Sequence, residues 1–186
     1  MGSIFIGMIF IFLNFDLNIG NARIGLIPDF IGYSFMLNGL SELEWFSRRF
    51  SKIKPVTSGM ITYSILTYAF ALIGGTTSVD IQYALAPHGL FLTALGLAAL
   101  LISLFISYNI IMGIRDIELY QDRNLNSGRL YSTWKMMAVF SVLTFTAAIM
   151  PALAVVGLIV TLVATVMYLF AFNKAKNLFR VDVGVG

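Results

Sequence analysis

Eleven of the twelve Lys and Arg residues of this 186-residue chain fall in three segments, and the sequence between those segments is almost wholly uncharged. The segments hold Arg48, Arg49, Lys52 and Lys54; then Arg115, Arg123, Arg129 and Lys135; then Lys174, Lys176 and Arg180, with Arg23 standing apart. Soluble domains carry roughly 25% charged residues, whereas here 11% are charged, 59% are hydrophobic and the mean hydropathy is +0.88. No soluble surface can be built from so few charges. Basic loops beside apolar spans stay on the cytoplasmic side during insertion. The pattern therefore predicts an all-α, polytopic transmembrane helix bundle whose three basic segments share the cytoplasmic face, with Arg23 on the other.

A bilayer core of about 30 Å takes roughly 20 helical residues per crossing. Residues 58–75 and 87–112 each satisfy this as single helices. From Ser132 to Phe172 the chain is apolar apart from Lys135, too long for one crossing, and Pro151 divides it into spans over 132–150 and 152–172. Lys135 and Lys174 both belong to the basic side, so an even number of crossings must separate them. The N-terminal part reads as a first helix over 3–18 and a second over 28–46, with a re-entrant or interfacial pair as the alternative. Either leaves both ends of the pair on the cytoplasmic face. The expectation is one membrane domain over 1–186, about six helices and both termini in the cytoplasm.

Pro28, Pro55, Pro87 and Pro151 all fall at these predicted helix boundaries, where proline is tolerated. Trp45 and Trp134 lie near basic segments, as in an inner aromatic belt, with Tyr83 on the outer side. The apolar start lacks the charged region and cleavage site of a signal peptide, and Ile6 stands where myristoylation needs Ser or Thr. Small residues recur at helical spacing. Thr67, Ala71 and Gly75 form one stripe, Ala94 and Ala98 with Ser103 and Ser107 another; Ala138, Ser141, Thr144 and Ala148 face one way on the fifth helix, and Gly157, Thr161 and Thr165 on the sixth. Helices in lipid associate by close backbone approach and interhelical hydrogen bonds, so these stripes are the expected contact faces.

Few residues carry chemistry. The oxygen-rich run Asn14 to Asn21 invites a calcium reading, but a loop begun at Asp16 has Asn21 where glycine is needed and Ile27 where the bidentate Glu belongs. It reads as a turn. Asp29 follows Pro28 at the start of the second helix, where a carboxylate is favoured by unpaired N–H groups; its functional alternative is to pair with Arg23 or receive a cation or proton. His88, the one histidine, reads as a helix-start hydrogen-bonding residue, with proton exchange alongside Asp80 as the alternative. Asn38 and Asn109 are the polar residues most clearly inside spans, and each is expected to face the bundle interior. Arg115 to Arg129 reads as a short amphipathic surface helix followed by a turn at Asn126-Ser127-Gly128.

No His-Glu-x-x-His, Gly-x-Ser-x-Gly or phosphate-binding glycine loop occurs, so the chain is read as a non-enzyme with no cofactor and no metal. The absence of cysteine excludes disulfides and thiolate chemistry. A net charge of +3 placed on the cytoplasmic loops suits anionic lipid headgroups and not nucleic acid.

The run Asn21-Ala22-Arg23-Ile24-Gly25-Leu26-Ile27-Pro28-Asp29-Phe30-Ile31-Gly32-Tyr33, followed by Gly39-Leu40-Ser41-Glu42-Leu43, resembles a group of small, uncharacterised integral membrane proteins of Gram-positive bacteria. That resemblance covers about the first quarter of the chain and implies a bacterial plasma membrane and no particular activity. The size and six-helix plan also look like the substrate-binding subunits of some vitamin transporters, an architectural likeness alone. The reading is a component that binds or transports a small solute, with Asp29, Tyr33, Asn38, Tyr63 and Asn109 as ligand-binding residues around a cavity near the membrane midplane. The alternative is an accessory, structural or signalling protein that docks other membrane proteins through its cytoplasmic loops and lateral faces.

Overall fold

Uncharged apolar runs must satisfy their own backbone N–H and C=O groups, and a helix does so within one segment. The computed structural model describes residues 1–12, 16–19, 22–25, 28–72, 87–122, 124–147 and 151–183. Among the described residues there are six helices: α1 (Gly2–Phe12), α2 (Asp29–Leu43), α3 (Arg48–Leu72), α4 (Pro87–Gln121), α5 (Ser127–Ala147) and α6 (Pro151–Val183). Each packs against the next, and α6 returns to α1, closing the series into a ring. The closing contacts are aromatic: Phe5 stacks on Phe172 at 6.2 Å, and Phe12 meets Tyr168 edge-on at 6.1 Å. Among the described residues, two stretches are long and apolar enough to cross a membrane, Thr93–Gln121 in α4 and Val156–Phe179 in α6.

The start of the chain departs from expectation. The first helix is described over Gly2–Phe12, and where it was expected to run to residue 18, β1 (Asp16–Ile19) instead pairs antiparallel with β2 (Ala22–Gly25), with Ile19 opposite Ala22. Polar and apolar residues alternate from Asp16 to Ile19, which is the period of a strand, and the two positions between the strands are Gly20-Asn21, a hairpin composition. The turn reading of Asp16 to Asn21 thus gives way to a hairpin; the side chains there, including Arg23, lie outside the described residues. At 11 and 15 residues, α1 and α2 measure about 16 and 22 Å, both under the length of a perpendicular crossing.

Other boundaries moved for identifiable reasons. Pro28 precedes α2, and Pro87 and Pro151 open α4 and α6, where a missing N–H costs nothing. Pro55 does not mark a boundary: it sits inside α3, on an exposed face, so the Ser51 carbonyl it leaves without a donor faces outward as well. No separate surface helix follows the fourth span, because α4 continues unbroken through Arg115 to Gln121, and the turn is made earlier than expected, with Asp122 (φ 51) and Asn126 (φ 60) in left-handed conformations. Gly75, Asp80 and Tyr83 fall outside the described residues.

Small residues set the tightest packing, and the tightest pair is α1 with α2. A methyl group on Gly7 would stand 2.5 Å from the Gly32 carbonyl oxygen and 2.8 Å from the Met36 nitrogen, and one on Gly39 would stand 2.8 Å from the Ile4 nitrogen. These backbones touch only because the side chains are hydrogen. The expected α5 and α6 faces do meet, through the Thr144 and Thr161 hydroxyls at 2.7 Å and through Gly157, whose added methyl would lie 2.9 Å from Thr144 Oγ1.

Gly7→Val is therefore expected to destabilise the protein by about 1–3 kcal/mol, the usual range for overpacking. Gly59→Ala, where the added carbon meets open space inside α3, is expected to be neutral or slightly stabilising. Thermal unfolding of the purified variants checks both; equal melting of Gly7→Val and the parent would refute the close approach.

Candidate functional site

The charged residues gather at one end of the ring. Arg49 Nε donates to Asp116 Oδ2 at 2.9 Å and the Ser47 hydroxyl donates to the same oxygen at 2.8 Å, which ties the first basic segment to the second. Lys54 pairs with Glu44 at 2.8 Å. Glu118 accepts the Ser127 backbone N–H at 3.1 Å, satisfying one of the open donors at the start of α5. Phe46 meets Phe179 edge-on at 5.8 Å, and Lys176 lies 4.3 Å over the Phe5 ring, which brings in the third segment. Glu42 accepts from Ser3 at 2.9 Å and lies 3.4 Å from the Met1 ammonium. The three basic segments thus share one pole with the ends of all six helices.

Well above that pole, α2, α3 and α4 bring together a polar cluster. Asp29 lies in the first turn of α2, and Tyr33, one turn on and 3% exposed, shares its face. Ser103 of α4 is a polar neighbour of Tyr33, and Asp29 and Tyr63, the latter on α3, act on it electrostatically. Phe30 meets Tyr68 edge-on at 6.0 Å beside them. Thirteen residues separate Ser103 from Asp116 along α4, which puts the cluster about 20 Å from the charged pole. A carboxylate among phenol hydroxyls and ring faces can hold a positively charged group by charge, hydrogen bonds and cation–π attraction.

Three of the five residues chosen from sequence, Asp29, Tyr33 and Tyr63, thus converge, and two do not. Asn38 is exposed on the outer side of α2, and Asn109 donates to the Phe105 carbonyl of its own helix at 2.9 Å, bridging nothing. Ser103 entered the sequence reading only as a packing residue; its tie to Tyr33 depends on the register of α4 against α2, which no local pattern encodes. Pairing of Asp29 with Arg23 and proton exchange between His88 and Asp80 both fall on side chains outside the described residues. Among the described residues no group of three His, Asp or Glu side chains gathers in a way that suits a metal ion.

Elsewhere several buried polar groups pair with one another, while Thr93 Oγ1 on α4 is buried without a hydrogen-bond partner among the described residues. Trp134 donates to the Ser107 hydroxyl at 2.9 Å, and the Ser107 hydroxyl in turn donates to the Leu104 carbonyl at 3.0 Å. Tyr108 and Tyr131 flank the indole at 5.2 and 6.0 Å. The fully buried Tyr168 donates to the Met8 sulfur at 3.4 Å.

Ser107→Ala is expected to cost about 1 kcal/mol by leaving the indole N–H without its acceptor. It should also shift the Trp134 emission in a Trp45→Phe background, where the 88% exposed second tryptophan no longer contributes. An unchanged spectrum and melting temperature would contradict the hydrogen bond. Compared with protein-family models, curated proteins and solved structures, the chain matches none.

Proposed function

We propose that the chain is a six-helix integral protein of a bacterial plasma membrane, with both termini cytoplasmic, that binds a small cationic solute at Asp29, Tyr33, Tyr63 and Ser103. The observation that carries the solute reading is the placing of Asp29 and the buried Tyr33 on one face of α2, with Phe30 packed edge-on against Tyr68 of α3 beside them. Ionisable groups at membrane depth are costly to place and tend to serve binding or transport. The membrane reading draws on the single charged pole, on the two long apolar stretches, and on the outward side chains of Leu66, Phe70, Phe91, Leu101, Val139, Leu158, Val163 and Phe170. Soluble monomers rarely expose apolar surface on that scale. The inner aromatic belt, the re-entrant seating of the short α1 and α2, and the transporter-like plan belong to the same reading.

A second reading, that the protein works by docking partners, is favoured by apolar side chains exposed at the charged pole: Trp45, Leu119 at 73% and Tyr120 at 91%. Trp45 borders an open groove of about 410 Å³ lined also by Glu44, Phe46, Ser47, Arg48 and Ser51.

A thermal-shift screen of the detergent-purified protein separates the two. A bound organic amine at 100 times its dissociation constant is expected to stabilise by about 2.7 kcal/mol. Asp29→Asn and Tyr33→Phe are each expected to weaken that binding roughly tenfold, with equivalent anions inactive throughout. A panel of amines that leaves the parent protein unshifted would contradict solute binding and leave docking as the reading.

A further inference from the structure

We infer that the groove beside Trp45 is a site for the headgroup of an anionic lipid in the cytoplasmic leaflet, with Arg48 as its charged anchor. The inference rests on the membrane reading above, which sets bilayer against the charged pole and so supplies the occupant from the surroundings. Four residues join α2 to α3, and the positions about them are fixed. Leu43 and Phe50 are buried, and the Ser47 hydroxyl donates to Asp116 Oδ2 while accepting the Arg49 N–H at 3.3 Å. The bend thereby turns Trp45 outward, 88% exposed, and opens the groove of about 410 Å³ that Arg48 and Ser51 share with it. That volume falls within the roughly 300–1,000 Å³ of small-molecule sites.

Charge selects which lipid. Two cations here are already matched, Arg49 by Asp116 at 2.9 Å and Lys54 by Glu44 at 2.8 Å, so the one carboxylate that lines the groove is neutralised. Arg48 and Lys52, one turn apart on the exposed face of α3, form no ion pair among the described residues. The Ser51 hydroxyl and the Trp45 indole N–H add donors at the same groove. A phosphodiester offers the complement, a negative charge with acceptor oxygens that a guanidinium meets two at a time. An indole ring favours the depth where headgroups give way to chains, so Trp45 covers the upper acyl chain while Arg48 holds the phosphate. A zwitterionic lipid brings an ammonium that Arg48 and Lys52 repel, and a docked protein would need an acidic segment of its own at that depth.

Trp45 reports the site alone once Trp134→Phe removes the second indole. The full chain is reconstituted in phosphatidylcholine vesicles doped with phosphatidylglycerol brominated near the headgroup, or with phosphatidylcholine brominated at the same position. The anionic lipid is expected to quench Trp45 at about fivefold lower content than the zwitterionic one, and Arg48→Gln is expected to remove most of that preference. Arg129→Gln, which takes another exposed cation from the second basic segment, is expected to leave it unchanged. Equal quenching by the two lipids overturns the site, and so does an equal loss in both variants, which is the mark of diffuse attraction to the surface. Abolition of the preference by inorganic phosphate, against chloride at matched ionic strength, assigns the groove to a free anion and overturns the lipid. A bis-maleimide adduct of Ser51→Cys with another protein in native membranes does the same in favour of a docked partner. A chain stripped from the vesicles by carbonate overturns the membrane reading and the headgroup site with it.

Discussion

Gathering of the three basic segments at one end of the bundle is the constraint on which the rest of this structure depends. Asp116 holds Ser47 and Arg49 together, Lys54 neutralises Glu44, and Lys176 rests on Phe5, so segments far apart in sequence become one polar surface. Each of these exposed pairs is worth little by itself, on the order of 0–1 kcal/mol. Their joint effect is topological. With both ends of every consecutive helix pair tied to the same pole, the helices alternate in direction, and the long apolar flanks between have no charge to offer water.

Such flanks leave close packing and internal hydrogen bonding to hold the helices together. The α1–α2 contact relies on Gly7, Gly32 and Gly39, where nothing larger than hydrogen fits, and the α5–α6 contact on a threonine pair beside Gly157. Hydroxyls that face no partner turn back on their own helix: Ser34 donates to the Phe30 carbonyl at 2.7 Å, Thr57 to Ile53 at 3.0 Å and Thr67 to Tyr63 at 3.1 Å. This habit costs nothing in apolar surroundings and frees each helix from needing its neighbours for polar satisfaction. Against that background two side-chain bonds between helices stand out, Trp134 to Ser107 and Thr144 with Thr161.

Features repeated along one helix were legible in the sequence, and features that depend on two helices meeting were not. The helices, the openings at Pro87 and Pro151 and the Thr144 and Thr161 faces follow from periodicity and from proline's missing N–H. Pro55 misled because an exposed face tolerates the lost bond. The end of α1 at Phe12 misled because the apolar run was weighed by length, while the alternation from Asp16 to Ile19 that signals a strand was passed over. Asn38 was placed inside because polar residues in spans usually turn inward; its neighbour Gly39, pressed against Ile4, occupies the inward direction instead. Asp29, Tyr33 and Tyr63 were marked in the sequence by their chemistry, whereas serine on an apolar helix, as at Ser103, carries no such mark.

Site-specific labelling tests the shared pole most directly. Lys52→Cys, Asn124→Cys and Asn177→Cys place one exposed thiol in or beside each basic segment of a cysteine-free chain. A membrane-impermeant maleimide is expected to label all three in inside-out vesicles and none in intact cells, with Arg23→Cys showing the reverse. Labelling of any one of the three from the cell exterior would contradict the account.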